Sequence, residues 1–400
     1  MVQTALVTLG RGVPRLVAPH SFAEMETLIQ NKSEIAGSET QSTPVSSFNE
    51  WDPLEEIIVG RLEGATIPPG HVTVTYNVPK PVGQLVKLFG GMRYPEWMKS
   101  AAQRQLNELI RVLEGEGVKV QRPDIVDFKP RFASPDWSSR GFCIACPRDG
   151  FLVVGDEIIE TPMAWRSRYF ETFAYRRLFY EYFQQGARWT VAPRPQLLDS
   201  LYDYDFELPA YGQPLHYVIN ESEIVFDAAD LVRAGKHIFY QRSNVTNQAG
   251  IEWLRRHLSK DYQLVEIESM CVDPMHIDSS VSLLAPGKVL INPEYIDVAK
   301  LPRLFRSWDI IIAPEPDPLS SSDIMARFFS MCSKWISVNV LSIDERRVIV
   351  EKTQVGLQRK LREYGFEPIP VAFANFLPFG GAFHCATLDI RRRGELQSYF

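Results

Sequence analysis

From Phe48 onward the chain repeats one pattern of apolar and polar positions. Two short apolar runs flank a tight turn, an amphipathic helical stretch follows, then a glycine or polar stop and another short apolar run ending near a proline. Phe151 to Glu160, turning at Gly155-Asp156, leads into a predicted helix from about Arg166 to Gln185, Gly186 and a strand from Arg188 to Ala192. Asp230 to Gln241, turning at Gly235-Lys236, leads to a helix from Asn247 to Leu258 and a strand from Tyr262 to Ile267. Val281 to Ile291 turns at Pro286-Gly287 and precedes a helix near Val298 to Ser307 and a strand from Asp309 to Ala313. Ser337 to Val350, turning at Asp344 to Arg347, precedes a helix from Val355 to Tyr364, Gly365 and a strand from Glu367 to Phe373.

The first unit has a single strand, Glu55 to Gly60, followed by a Pro/Gly-rich loop, the helix Glu96 to Gly115 and the strand Val118 to Arg122. Its missing hairpin partner is assigned to the last strand of the chain, Phe383 to Ile390, so that the two chain ends pair. Five strand-strand-helix-strand units closed in this way predict an α/β ring with no open hydrophobic edge. Length alone gives a prior of two or three domains for 400 residues; the repeat replaces it with one domain over residues 45–400, preceded by an extension over residues 1–44. That extension carries Arg11 and Arg15 but no acid before Glu24, and ends in the Ser/Thr/Gly/Gln-rich run from Ser38 to Pro44. It reads as a tail or extra helix, with an organellar transit peptide as the other reading.

With 45% hydrophobic and 12% aromatic residues the chain can bury a large core, which excludes disordered and collagen-like classes. Forty-three Lys plus Arg against 49 Asp plus Glu leave a net charge of -6, the wrong balance for binding nucleic acid or anionic lipid. No apolar window reaches the ~20 residues of a spanning helix. Five cysteines are too few for a disulfide framework and point to a reducing, cytoplasmic setting. Cys143 and Cys146 form a C-x-x-C, but no second pair completes a zinc site, so they are read as packed thiols and no metal is expected. No Gly-rich loop joins a strand to a helix in nucleotide-binding form.

The chemistry signal is positional. Polar residues gather where the chain enters each hairpin: Pro147-Arg148-Asp149, Phe226-Asp227-Ala228-Ala229-Asp230, Asp273-Pro274-Met275-His276-Ile277-Asp278, Cys332-Ser333-Lys334, and Gly380 to Cys385 before the closing strand. If five units ring one axis, these entries share one pocket, bringing together a thiol, a histidine and several carboxylates. An acidic pocket around a thiol suits a planar cation, and a guanidinium fits because carboxylates grip its N-H groups in pairs. Attack on its central carbon needs a protonated leaving amine, a task for histidine. Taken singly, each residue also has a structural reading: an Asp before a strand as a turn or cap residue, a lone His such as His276 as a packed one.

The runs Asn49 to Glu56, Pro147 to Asp149, Ile158 to Ala164, Phe226 to Asp230, Asp273 to Asp278 and Phe383 to Gly394 closely resemble the arginine-dependent amidinotransferases. That family includes the glycine amidinotransferase of creatine synthesis and the inosamine-phosphate enzyme of streptomycin synthesis, and the resemblance is strongest to members of cyanobacterial saxitoxin-type toxin pathways. It covers about Ser46 to the C-terminus and implies a five-bladed α/β propeller, the pentein fold. By motif position it implies Cys385 as the nucleophile that carries the amidino group, His276 as general acid and then base, and Asp227 as the carboxylate that orients the histidine. It also implies Asp149 and Asp278 as guanidinium ligands, Ser333 at the amino-acid end of the substrate, and Met275, Asp273 and Tyr295 as further substrate-binding positions. The implied cycle is ping-pong: arginine enters and ornithine leaves, then a primary amine enters and a guanidino product leaves, without cofactor or metal. Homodimerisation is a further family expectation.

Two positions depart from the glycine enzyme. Tyr295, in Asn292-Pro293-Glu294-Tyr295, stands where that enzyme has a carboxylate-binding arginine, and Asp273 stands where it has an amide residue. An added carboxylate and a lost arginine point to a more cationic acceptor, lysine-like or polyamine-like. Two other readings remain open from sequence: a guanidine hydrolase resembling arginine deiminase, and a non-catalytic arginine-binding protein.

Overall fold

Each repeat becomes a three-stranded sheet built to one plan. Phe151–Val154 pairs antiparallel with Glu157–Glu160, which pairs parallel with Arg188–Val191. Leu231–Ala234, His237–Tyr240 and Gln263–Glu266 repeat the plan, as do Val281–Ala285, Lys288–Ile291 and Asp309–Ile312. Leu341–Ser342, Arg347–Glu351 and Glu367–Val371 form the next. The remaining sheet joins the chain ends: Leu54–Val59 pairs antiparallel with Thr387–Arg392 and parallel with Lys119–Gln121. The structure is a computed structural model and describes Thr43–Phe400, apart from Tyr211 and residues 272–275, 321–325 and 327. Residues 1–42 of the sequence-assigned extension therefore lie outside the described residues, and Thr43–Phe400 is one compact unit.

The first strands of the hairpins are buried along their whole length, as in Phe151–Val154 and Val281–Ala285, because apolar layers cover both faces. Leu152 and Ile159 pack on Phe226 and Leu231 of the following sheet, and Val232 and Phe239 pack on Val281 and Val289 of the next. Leu284 and Leu290 meet Val348 and Val350. Ile57 and Val59 share a cluster with Leu341 and Ile349, while Ile58 and Leu388 pack on Phe151 and Ile158. Each fully buried side chain of this size stabilises by about 1.5–3 kcal/mol relative to exposure, so the layers between sheets hold the fold. In the turn at Gly235 the backbone has φ +62°, and a Cβ there would run into the carbonyl oxygen of Gln397. Glycine satisfies both demands.

The crossover helices follow the apolar periodicity. Glu96–Gly115 buries Met98, Ala102, Leu106, Leu109 and Leu113 on one face, and Gln248–His257 starts at Asn247, whose side chain accepts the Gly250 N–H at 2.9 Å. Four expectations need correction. The stretch from Arg166 to Gln185 is not one helix: 3-10 turns at Arg166–Arg168 and Glu171–Tyr175 precede the α-helix Arg176–Gln184. Buried Arg168 reaches two carboxylates, Asp149 and Glu171, from this irregular backbone. Val298 to Ser307 is two 3-10 turns, Val298–Lys300 and Arg303–Ser307, because Pro302 holds Leu301 extended between them. The Pro/Gly-rich loop after the first strand contains the α-helix Lys80–Phe89, with Val82 and Val86 buried one turn apart, and a hairpin, Arg131–Ala133 with Ser138–Arg140, follows later. The closing strand begins at Thr387 rather than Phe383: the N–H groups of His384 and Cys385 donate to the Asn339 side chain, so the chain turns there before it joins a ladder.

Candidate active site

Each strand entry forms a short helical turn that presents its polar side chain. Pro147–Gly150 carries Asp149, and Ala228–Asp230 follows Asp227. Ile277–Ser279 carries Asp278 directly after His276, and Lys334–Val338 lies between Ser333 and Asn339. These turns place His276 Nε2 3.1 Å from Asp227 Oδ2 and His276 Nδ1 3.7 Å from Asp149 Oδ1. Cys385 Sγ lies 3.4 Å from Asp278 Oδ2 and 3.3 Å from the Nδ2 of Asn339. Asp149 is held by Arg168 at 2.6 Å, and Asp230 anchors the histidine segment by accepting the Ile277 N–H at 3.3 Å.

One cavity is lined by Cys385, His276, Asp278, Ser333 and Tyr295. A second, lined by Asp149, Asp227, Arg168 and His276, adjoins it through His276 and three further shared residues. Thus seven of the nine residues singled out in the sequence meet at one place. Asp273 and Met275 lie outside the described residues.

No family model matches the chain. It is 48% identical over 359 residues to the L-arginine:L-lysine amidinotransferase of Pseudomonas savastanoi pv. phaseolicola, covering 90% of this chain and 97% of that protein. The chain belongs to the amidinotransferase family. A mitochondrial glycine amidinotransferase of Xenopus tropicalis is 43% identical over 380 residues, 92% of this chain and 87% of the relative. Among solved structures, an amidinotransferase of the saxitoxin biosynthetic pathway from Microseira wollei superposes with a TM-score of 0.82 at 51% identity, covering 89% of this chain and all of that one. The inosamine-phosphate amidinotransferase of Streptomyces griseus gives 0.78 at 36%, covering 89% of this chain and 99% of that one. Dimethylarginine dimethylaminohydrolase, 15% identical with a TM-score of 0.51, shares the pentein fold alone.

In this amidinotransferase the buried thiol and imidazole are both shifted toward their protonated forms. Burial, then Asp278 and Asp149, push the Cys385 thiol well above its ordinary pKa. Burial alone would lower His276, but Asp149 and the hydrogen bond to Asp227 outweigh it and raise the imidazole to about 10. The carboxylates are unsaturated: Asp149 Oδ1 and Asp227 Oδ1 are buried without a hydrogen-bond partner. Orphaned carboxylate oxygens facing a cavity call for a cationic donor, because an unpartnered buried acceptor costs about 1–3 kcal/mol.

Cys143 and Cys146 are buried free thiols, with Cys146 packed against the loop that carries Cys385. That loop needs Gly381: a Cβ there would overlap Cys385 Cβ and lie 3.0 Å from its Sγ and 3.1 Å from Cys146 Sγ. Gly381→Ala is expected to lower turnover about 100-fold, the effect of a displacement near 1 Å, while far-ultraviolet circular dichroism stays native. Sequence reasoning gave no role to Asn339, His384 or Arg168. Asn339 had a signal, a polar residue inside the largely apolar run from Trp335 to Leu341; His384 is defined by partners far along the chain, and Arg168 by carboxylates 19 and 3 positions away.

Proposed function

We propose that this enzyme transfers the amidino group of L-arginine, through a covalent amidino-Cys385 intermediate, to a cationic primary amine, releasing L-ornithine. The carrying observation is a buried thiol against Asp278 beside an imidazole raised by Asp149 and Asp227, whose Oδ1 atoms lack a hydrogen-bond partner. Asp149 and Asp278 receive the guanidinium, and Asp227 orients His276. The arriving cation offsets the carboxylate charge that keeps Cys385 protonated, so the thiol ionises only beside its substrate. The proton ledger then closes. The Cys385 sulfur bonds the guanidinium carbon, the C–N bond to the ornithine nitrogen breaks, and His276 gives that nitrogen its proton; with the thiol proton, ornithine leaves as an ammonium and His276 is left neutral. In the second half His276 takes a proton from the acceptor ammonium, the free amine attacks, the C–S bond breaks and the thiol is restored. Nothing is oxidised or reduced, so the cycle balances without a cofactor.

The acceptor reading rests on Tyr295, which lines the cavity and cannot form a bidentate ion pair with a carboxylate. The Pseudomonas relative's name couples arginine to lysine, and the Microseira relative belongs to a toxin pathway. Both support a cationic amine in specialised metabolism. We further read the five sheets as the blades of one closed propeller spanning residues 45–400, supported by the cyclic packing of successive sheets. Free cysteines fit a cytoplasmic setting, and among the described residues no helix is long and apolar enough to cross a membrane. Homodimerisation is proposed from the family and is checked by light scattering. The decisive assay is mass spectrometry of products from arginine with glycine, lysine and short diamines. A guanidino product with lysine or a diamine is expected; citrulline and ammonia with no guanidino product would overturn transfer in favour of hydrolysis.

A further inference from the structure

The residue before the nucleophile has no part in the cycle above, yet both nitrogens of its ring meet a carboxylate. His384 is buried, with Nδ1 2.8 Å from Asp278 Oδ2 and Nε2 3.2 Å from Glu50 Oε2. Two ring nitrogens facing two carboxylates leave few protonation patterns, and the neighbours of Glu50 narrow them. Glu50 accepts from Arg233 Nε at 2.8 Å and from Arg233 Nη2 at 3.0 Å. Arg233 also reaches Asp389 at 2.7 Å, and Arg148 reaches Asp389 at 2.6 Å. A carboxylate gripped by both arms of a buried guanidinium stays ionised, so Glu50 gives His384 no proton and the Nε2 must donate. Asp278 in turn accepts from the Cys385 thiol through the same oxygen that faces His384. Signs therefore alternate along a buried line: Arg233 positive, Glu50 negative, His384 positive, Asp278 negative, then the thiol.

We propose that His384 is a positioning residue which, as a permanent imidazolium wedged between Glu50 and Asp278, keeps Asp278 ionised and aimed at Cys385. Its backbone supports the same task, because the N–H groups of His384 and Cys385 share the Asn339 Oδ1 at 3.0 and 3.2 Å. The charged groups around His384 are Glu50 before the first strand, Asp278 on its 3-10 turn, Arg148 on the turn Pro147–Gly150, and the thiol beside it. Around Asp278 they are His384, His276 and the thiols of Cys385 and Cys332. Burial and Arg148 work against the charged imidazole; Asp278 and Glu50 prevail and hold it above its ordinary range. Burial likewise works against the Asp278 carboxylate, and His384 holds it below its ordinary range. Burial raises Asp149 instead, so the two guanidinium-facing carboxylates are shifted in opposite directions.

The inference rests on Cys385 being the reacting thiol, so its test has two independent arms. In His384→Asn, Asp278 is stripped of its cation and burial, no longer offset, raises its pKa. The acidic limb of kcat/KM is expected to move up by about one unit or more, a loss of about tenfold at pH 6 that shrinks by pH 9. A loss of equal size at every pH, with the limb unmoved, would mark mere packing and overturn the proposal. The second arm needs neither a variant nor turnover. Nitrogen-15 spectra of the native enzyme labelled at histidine are expected to show the His384 ring as an imidazolium at pH 8; a neutral His384 ring overturns the proposal whether or not the variant folds. If no amidino transfer is found while the His384 imidazolium persists, the functional reading fails and the positioning role stands.

Discussion

Cys385→Ser is expected to abolish turnover, by ~10⁴-fold or more, while leaving the fold intact. The serine oxygen is smaller than sulfur and keeps both donors and acceptors of the pocket, Asn339 Nδ2 and Asp278 Oδ2. Core packing around it is unchanged, so the thermal melting temperature should stay within a few degrees of native, as for an isosteric buried change. Chemistry fares otherwise. A hydroxyl in a pocket whose carboxylates already hold a thiol protonated cannot reach the anionic form, and removing one member of a catalytic set that acts as a unit costs about as much as removing the set. The same variant closes the covalent question. Native protein mixed with arginine should gain the mass of one amidino group, and the serine protein should not. Turnover near the native rate would refute the nucleophile assignment, and an adduct that persists in the serine protein would place the chemistry on another residue.

The site was legible in the sequence to the extent that it is written into one repeated position. Asp149, Asp227, His276, Asp278 and Cys385 each sit at the entry to a buried strand, and the entries meet. Three of the four hairpins were legible because their turns carry glycine and their strands are rich in apolar residues; the fourth turns at Asp344 to Arg347. What stayed hidden depends on partners that periodicity does not encode. His384 is separated by 334 positions from Glu50 and by 106 from Asp278, and Arg233 by 156 from Asp389. The 3-10 turns around Arg168 stayed hidden too, because the need to meet a buried guanidinium with carboxylates is not written in apolar periodicity. Helix Lys80–Phe89 was masked by its flanking prolines and glycines, which mark its two ends rather than a loop.

Under the proposed cycle, substitution of the two guanidinium-facing carboxylates is expected to separate binding from proton transfer. Asp149→Asn and Asp278→Asn are each expected to lower kcat/KM by ~30- to ~5,000-fold, the range for deleting one partner of a buried, hydrogen-bonded charge pair at about 2–5 kcal/mol. Their signatures should differ. Asp149 is the principal group raising His276, so Asn at this position lets burial pull the imidazole down from about 10. The sign follows directly: the general acid is competent only below its own pKa, so the alkaline limb of the Asp149→Asn profile moves to lower pH, and activity lost at pH 9 exceeds that lost at pH 7. Removing the negative charge of Asp278 acts instead on the thiol, which Asp278 holds up more strongly than Asp149 does. Free Asp278→Asn protein should therefore be alkylated faster by iodoacetamide at pH 8 than the native protein, even as its turnover collapses, because the thiolate forms more easily while the guanidinium loses its ligand. A variant with slower alkylation and unchanged affinity for arginine would remove Asp278 from both roles.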